Sequence, residues 1–216
     1  MTSNKTIMDQ IRYWLLTVAL TIASFGLVKA QKHYVWCPED VEVKPRIGMA
    51  EGAEVGIVIY DGRVISKKGR IKCTGQDIAM SVQSLLERVY PSIHFVTLDE
   101  SAYYNKSTGS IPTIKIGLSA YHAGFGVDVS TGVGMVGGSF ATMVFPKGQW
   151  NAATALYVQF ENGGTSTEKE ISNVASRPNM LGYKSARNGL QESYEKSIQQ
   201  LLFFLDRELI SIQKPY

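Results

Sequence analysis

The sequence predicts an α+β domain: a β-α-β unit followed by a β-meander, forming a mixed and largely antiparallel sheet with two amphipathic helices packed on one face. Three observations predict it. Residues 111–160 carry period-two runs separated by glycine-containing connections, as half-buried strands joined by tight turns do. Ile78, Val82, Leu85, Leu86 and Val89 fall at helical spacing between two short β-rich runs. Leu190, Tyr194, Ile198, Leu201, Leu202, Leu205 and Leu209 form a second apolar stripe near the end of the chain.

The elements follow in order. Residues 31–54 form an entry segment with Pro38 and Pro45, in which Val41 and Val43 alternate with Glu42 and Lys44 as a short edge strand would. One domain over 55–212 comes next. Val55–Tyr60 is a compact strand closed by Asp61-Gly62. Thr74 with Asp77 three residues later makes a capping-box start, and Pro91 ends that helix. Ile93–Leu98 returns as a strand, and Asp99–Gly109 reads as a polar loop.

Four runs make the meander. In Ile111–Ala120, the side chains of Ile114, Ile116, Leu118 and Ala120 share one face. Phe125–Val129, Ser139–Phe145 and Ala153–Phe160 are the other three. Gly163–Tyr183 reads as a long polar connection, and Phe203 and Phe204 widen the stripe of the last helix.

Residues 1–30 read as a secretory signal. Lys5 and Arg12 precede the uncharged apolar run Tyr13–Val28, and Val28-Lys29-Ala30 has the residue types a signal peptidase accepts. A retained membrane anchor is the second reading, although the run is short for a span of roughly twenty residues. Tyr34-Val35-Trp36 lacks the small residue that a lipidated Cys37 would need before it.

Two of the chain's three net positive charges lie in the leader, so the rest of the chain has no electrostatic footprint for nucleic acid. The basic run Lys67-Lys68-Gly69-Arg70 with Lys72 reads as a solvated loop or a contact for an anionic lipid surface. Cys37 and Cys73 make an even count, which in an exported chain is a candidate for one disulfide tying the N-terminal tail to the loop before the first helix. Two separate thiols are the alternative.

Catalytic and cofactor patterns are missing. Gly132-Val-Gly134-Met-Val-Gly137 matches GxGxxG, but that fingerprint needs a helix opening within it, and the residues that follow read as a strand. The glycines are read as turns and bulges, and no cofactor is expected. His33, His94 and His122 stand apart from one another and show no metal-ligand spacing, and no serine sits in GxSxG. His122 and Asp128 can approach across a hairpin. Asn105-Lys106-Ser107 is a formal glycosylation sequon only.

The order of elements, carried by Val55–Tyr60, Gly75–Leu86, Ile93–Val96 and Ala155–Phe160, resembles a loose group of envelope accessory domains. The group includes the amino-terminal domain of the translocation protein TolB, the curli-secretion lipoproteins and the YajG and LptE-type outer-membrane lipoproteins. This chain departs from them in lacking a lipidated cysteine and in its glycine-rich residues 121–148. No functional residue carries over.

The resemblance implies a non-catalytic envelope protein of a Gram-negative bacterium, periplasmic or outer-membrane associated. Its expected partners are other envelope proteins or a second copy, with peripheral membrane contact and no nucleic acid. The second expectation is a secreted small-ligand binder or hydrolase with its site between the meander and the helices.

Overall fold

The computed structural model describes residues 33–63, 70–104, 111–126 and 148–213. Seven strands and two α-helices lie in these segments. In chain order they are β1 (Tyr34–Val35), β2 (Glu54–Asp61), β3 (Arg70–Ile71), α1 (Gly75–Val89), β4 (His94–Thr97), β5 (Thr113–Phe125), β6 (Gln149–Asn162), β7 (Thr165–Pro178) and α2 (Tyr183–Leu209). The signal segment, the GxGxxG glycines, the run Ser139–Phe145, residues Val127 and Val129, Asp128 with its expected approach to His122, the sequon and Lys67–Gly69 all lie outside the described residues.

The sheet runs β4-β2-β5-β6-β7. β2 is parallel to both β4 and β5, whereas β5, β6 and β7 are successively antiparallel. β1 continues along the β2 side of β5, pairing Tyr34 with Ala123, and β3 flanks it in parallel. The β-α-β unit thus sits on one side of β5 and the meander on the other. β6 and β7 are joined by Gly163-Gly164, whose φ values of 57° and 81° suit a two-residue hairpin turn that residues with a Cβ rarely enter.

Four sequence expectations need correction. Phe125 opens no separate strand, because β5 runs unbroken from Thr113 to Phe125. Val41 and Val43 form no strand, and the short N-terminal strand is Tyr34–Val35 instead. Ala120 leaves the face shared by Ile114, Ile116 and Leu118, because a bulge between Leu118 and Ala120 shifts the register by one residue. Tyr121 and Ala123 thereby join the core, and Ala120 pairs with Ala155 on the opposite face. The largest change is Gly163–Tyr183. Most of it is β7, a 14-residue strand with only Ile171 and Ala175 buried. An edge strand covered on one face needs few apolar residues, so polarity alone mimicked a loop.

Both helices pack on one sheet face around one core. α1 starts as expected, with the Thr74 hydroxyl accepting from the Asp77 amide and the Asp77 carboxylate accepting from the Thr74 amide. Its stripe of Ile78, Val82, Leu85, Leu86 and Val89 is fully buried. Each such side chain contributes about 1.5–3 kcal/mol on leaving water.

α2 lies across β5, β6 and β7. Besides its large apolar residues it turns Ser185, Gly189, Ser193 and Ser197 inward, one every four positions. These small residues let the helix come close to the sheet. Ser193 shares a 2.9 Å hydrogen bond with Thr154, and Ser197 donates to the Thr154 carbonyl. Phe204 is buried, while Phe203 is 69% exposed. Where the helices meet, the Tyr90 hydroxyl donates to Asp206 at 2.7 Å, and Arg46 pairs with the same carboxylate.

Candidate functional site

Cys37 and Cys73 form a disulfide with Cα atoms 4.8 Å apart. It ties the segment after β1 to the residue before the N-cap of α1. Asp77 lies close to both sulfurs, but the sulfurs are bonded to each other and the carboxylate serves the capping box, so the trio forms no thiolate site.

The expected location between meander and helices is filled with core side chains, Leu156, Val158 and Ile171 against Leu190, Ile198 and Leu201. A cleft of about 430 Å³ opens instead at the carboxyl ends of β2 and β4, beside the first turns of α1. Tyr60, Asp61, Gln76, Gln83, Thr97 and Glu100 supply its polar lining, with Met80 at its rim. Ligands of open parallel sheets favour this position, where a helix N-terminus attracts anions. Here the protein's own carboxylate occupies that place. A Cβ on Gly75 would stand 1.8 Å from Asp61 Oδ2, so Asp61 lies directly against the start of the helix. The arrangement leaves no phosphate cradle there.

Asp61 is in turn gripped by Arg63, Nε to Oδ1 at 2.6 Å and Nη2 to Oδ2 at 2.9 Å. The Arg63 side chain is only 3% exposed. Gly62 donates to the Leu118 carbonyl, which puts Arg63 beside the β5 bulge, between the points where β2 leaves β5 and β1 joins it. Its Nη1 has no partner among the described residues. The same holds for Nε2 of His122, which stacks at 4.4 Å on His33. Burial, then the charges of His33 and Arg63, push the His122 imidazole down to about 3. The imidazole is 4% exposed and does not line the cleft beside α1. It is an internal brace of the strand junction.

On the sheet face opposite the helices, Tyr60 stacks on Tyr103 at 4.9 Å and Tyr104 meets both rings edge-on at 5.2 Å. Tyr103 lies directly over Gly117, and burial raises its hydroxyl to about 12. Tyr157 beside them bonds Glu168 of β7. The same face buries Lys115, paired with Glu161 at 2.8 Å. His94 stays exposed on β4, away from His33 and His122.

The most extended feature is β7 itself. Among the described strands it pairs with β6 alone, so its outer edge presents unpaired backbone groups over 14 residues. Its two faces carry different charge. Lys169 and Arg177 lie on the helix side, with Lys169 over the Phe203 ring and Arg177 bonded to Glu192. Glu168 and Glu170 lie on the other. Sequence reasoning missed this edge and the tyrosine cluster. The alternation of Lys169, Ile171, Asn173 and Ala175 with Glu170, Ser172 and Val174 was the signal for the edge; nothing in the sequence brings Tyr60 to Tyr103.

No family model matches the chain, and no curated protein matches it. Solved structures overlap it distantly. The hypothetical protein CT253 from Chlamydia trachomatis has a TM-score of 0.41 at 4% identity, covering 74% of this chain and 98% of its own. A putative neuraminyllactose-binding hemagglutinin homolog from Helicobacter pylori has 0.36 at 9%, covering 82% and 95%. Lipoprotein GNA1162 from Neisseria meningitidis has 0.33 at 9%, covering 69% and 98%. At such scores the overlaps carry no functional inference.

Proposed function

We propose that this is an exported, non-catalytic protein of the bacterial cell envelope that recruits a partner chain along the outer edge of β7. The 14-residue edge, which pairs with no described strand other than β6, carries the reading, because an added strand gains main-chain hydrogen bonds along its whole length. Charge sets the partner's chemistry. A strand with an acidic residue opposite Lys169 and basic residues opposite Glu168 and Glu170 fits both faces, whereas a second β7 in parallel register would set like charges together. The disulfide supports export, since such bonds persist in oxidising compartments. No helix of the described residues is long and apolar enough to cross a membrane.

Photocrosslinkers placed singly at Thr165, Glu168, Ser172 and Ser176 in living cells test the reading. These positions are exposed along β7, and Gln76 on α1 serves as the control. One envelope protein captured from several β7 positions, and lost on Lys169→Glu, is the expected result. Fractionation as a free monomer with no partner enriched over the α1 control would reject it.

A further inference from the structure

The end of the domain where β5 finishes and β6 begins carries a second surface, independent of the β7 edge. Tyr34 packs edge-on against Trp150 at 5.3 Å and stacks on Trp36 at 6.1 Å, and Tyr183 leans on both Tyr34 and Trp150. Phe125 extends the group from the end of β5. Around these rings the surface is apolar and unusually open, with Met180 83% and Leu181 62% exposed and Phe125 and Tyr183 about half exposed. Trp150 Nε1 is held by Asn179, which fixes the loop bearing Met180 and Leu181 beside the rings.

Two further observations say what such a surface meets. The first is charge. Arg70 lies over the Tyr183 ring, and the exposed Lys72 and Lys184 beside it have no acidic partner among the described residues. The remaining cations here, Arg177 and Arg187, are each paired with a glutamate, so the excess is positive. The second is chain direction. The apolar run Tyr13–Val28 ends six positions before Tyr34 in the sequence. So short a spacing limits how far Tyr34 can lie from a membrane that holds the run.

We propose that this end is a bilayer-contacting surface, seating Trp36 and Tyr183 at the headgroup level of an anionic membrane with Phe125, Met180 and Leu181 dipping below them, while the buried Tyr34 and Trp150 support these side chains from beneath. Tyrosine and tryptophan suit that depth because each ring is apolar with one polar atom for the wet side. Arg70, Lys72 and Lys184 add attraction to anionic lipid that salt screens.

The test uses the full chain carrying Trp14→Phe, which leaves the partly exposed Trp36 and the buried Trp150 beneath the patch as the only tryptophans. Vesicles of phosphatidylglycerol and phosphatidylcholine with brominated acyl chains supply the quencher. The Trp36 share of the emission is expected to be lost on binding, because bromine quenches only rings near the acyl boundary. Adding Phe125→Ser, Met180→Ser and Leu181→Ser removes most of that quench while the leader keeps the protein on the vesicle. If the triple variant does not fold, Lys72→Glu with Lys184→Glu replaces it, and a weaker, less salt-dependent quench is expected. A vesicle-bound chain with unquenched tryptophans, a quench unchanged by these substitutions, or no vesicle binding at all overturns the proposal.

Discussion

Removing the disulfide by Cys37→Ala with Cys73→Ala is the sharpest perturbation of this fold. The bond closes a loop of sequence separation 36. In the chain-entropy account, opening such a loop frees the unfolded chain by about 4 kcal/mol at 25 °C. The native state contributes little compensation, since Cys37 is exposed and alanine in place of the buried Cys73 leaves only a small void. β1 should respond most. It has one residue pair with β5 and two with β3, so its place rests on the covalent tie and on the burial of Tyr34 and Val35. Urea unfolding of the full chain with and without the double substitution measures the loss, and hydrogen exchange at Val35 shows where it begins. A loss below about 1 kcal/mol, or equal thiol labelling of the unfolded protein with and without reductant, would refute the reasoning.

Three more outcomes are expected. His122 is held neutral at about 3, below the ordinary 6.5, so the unfolded chain takes up the proton first as pH falls. Its contribution is intact above pH 6.5 and is lost toward pH 3, about 2 kcal/mol by pH 5, with His33 acting in the same direction. Unfolding free energies measured between pH 7 and pH 5 should show this slope, and His122→Phe should flatten it. Glu161→Ala takes the paired carboxylate from the buried Lys115 and should cost about 3 kcal/mol in chemical denaturation, whereas an exposed pair such as Lys196–Glu192 should cost under about 1. Gly117→Ala puts a methyl 2.2 Å from the Tyr103 hydroxyl, so that ring must swing off Tyr60; a loss of about 1–3 kcal/mol with a changed near-ultraviolet tyrosine signal is the expected readout.

Local signals were legible where they were strong. Thr74 and Asp77 marked the start of α1 and Pro91 its end, because capping and proline geometry act within one turn. The stripes of α1 and α2 were readable for the same reason, as were β2 and β4 on either side of α1. β7 was not. Its helix side carries Thr167, Lys169, Asn173 and Arg177, and what makes it a strand is pairing with β6 along its whole length. Nor was the fate of Phe203 and Phe204 readable, since adjacent residues on a helix point about 100° apart and only the packing of α2 decides which one is covered.

The sequence by itself determined the α+β class, the two helices and the order strand, helix, strand, meander, because each rests on periodicity and caps that neighbours in the chain impose. The tertiary structure decided the rest. It put β5 between β2 and β6, shifted its register at Ser119, joined Cys37 to Cys73, filled the start of α1 with Asp61 and made β7 the edge of the described sheet beyond β6. These features depend on residues tens of positions apart meeting across a sheet. Only the closed set of strand pairings and the shared core fix which ones meet.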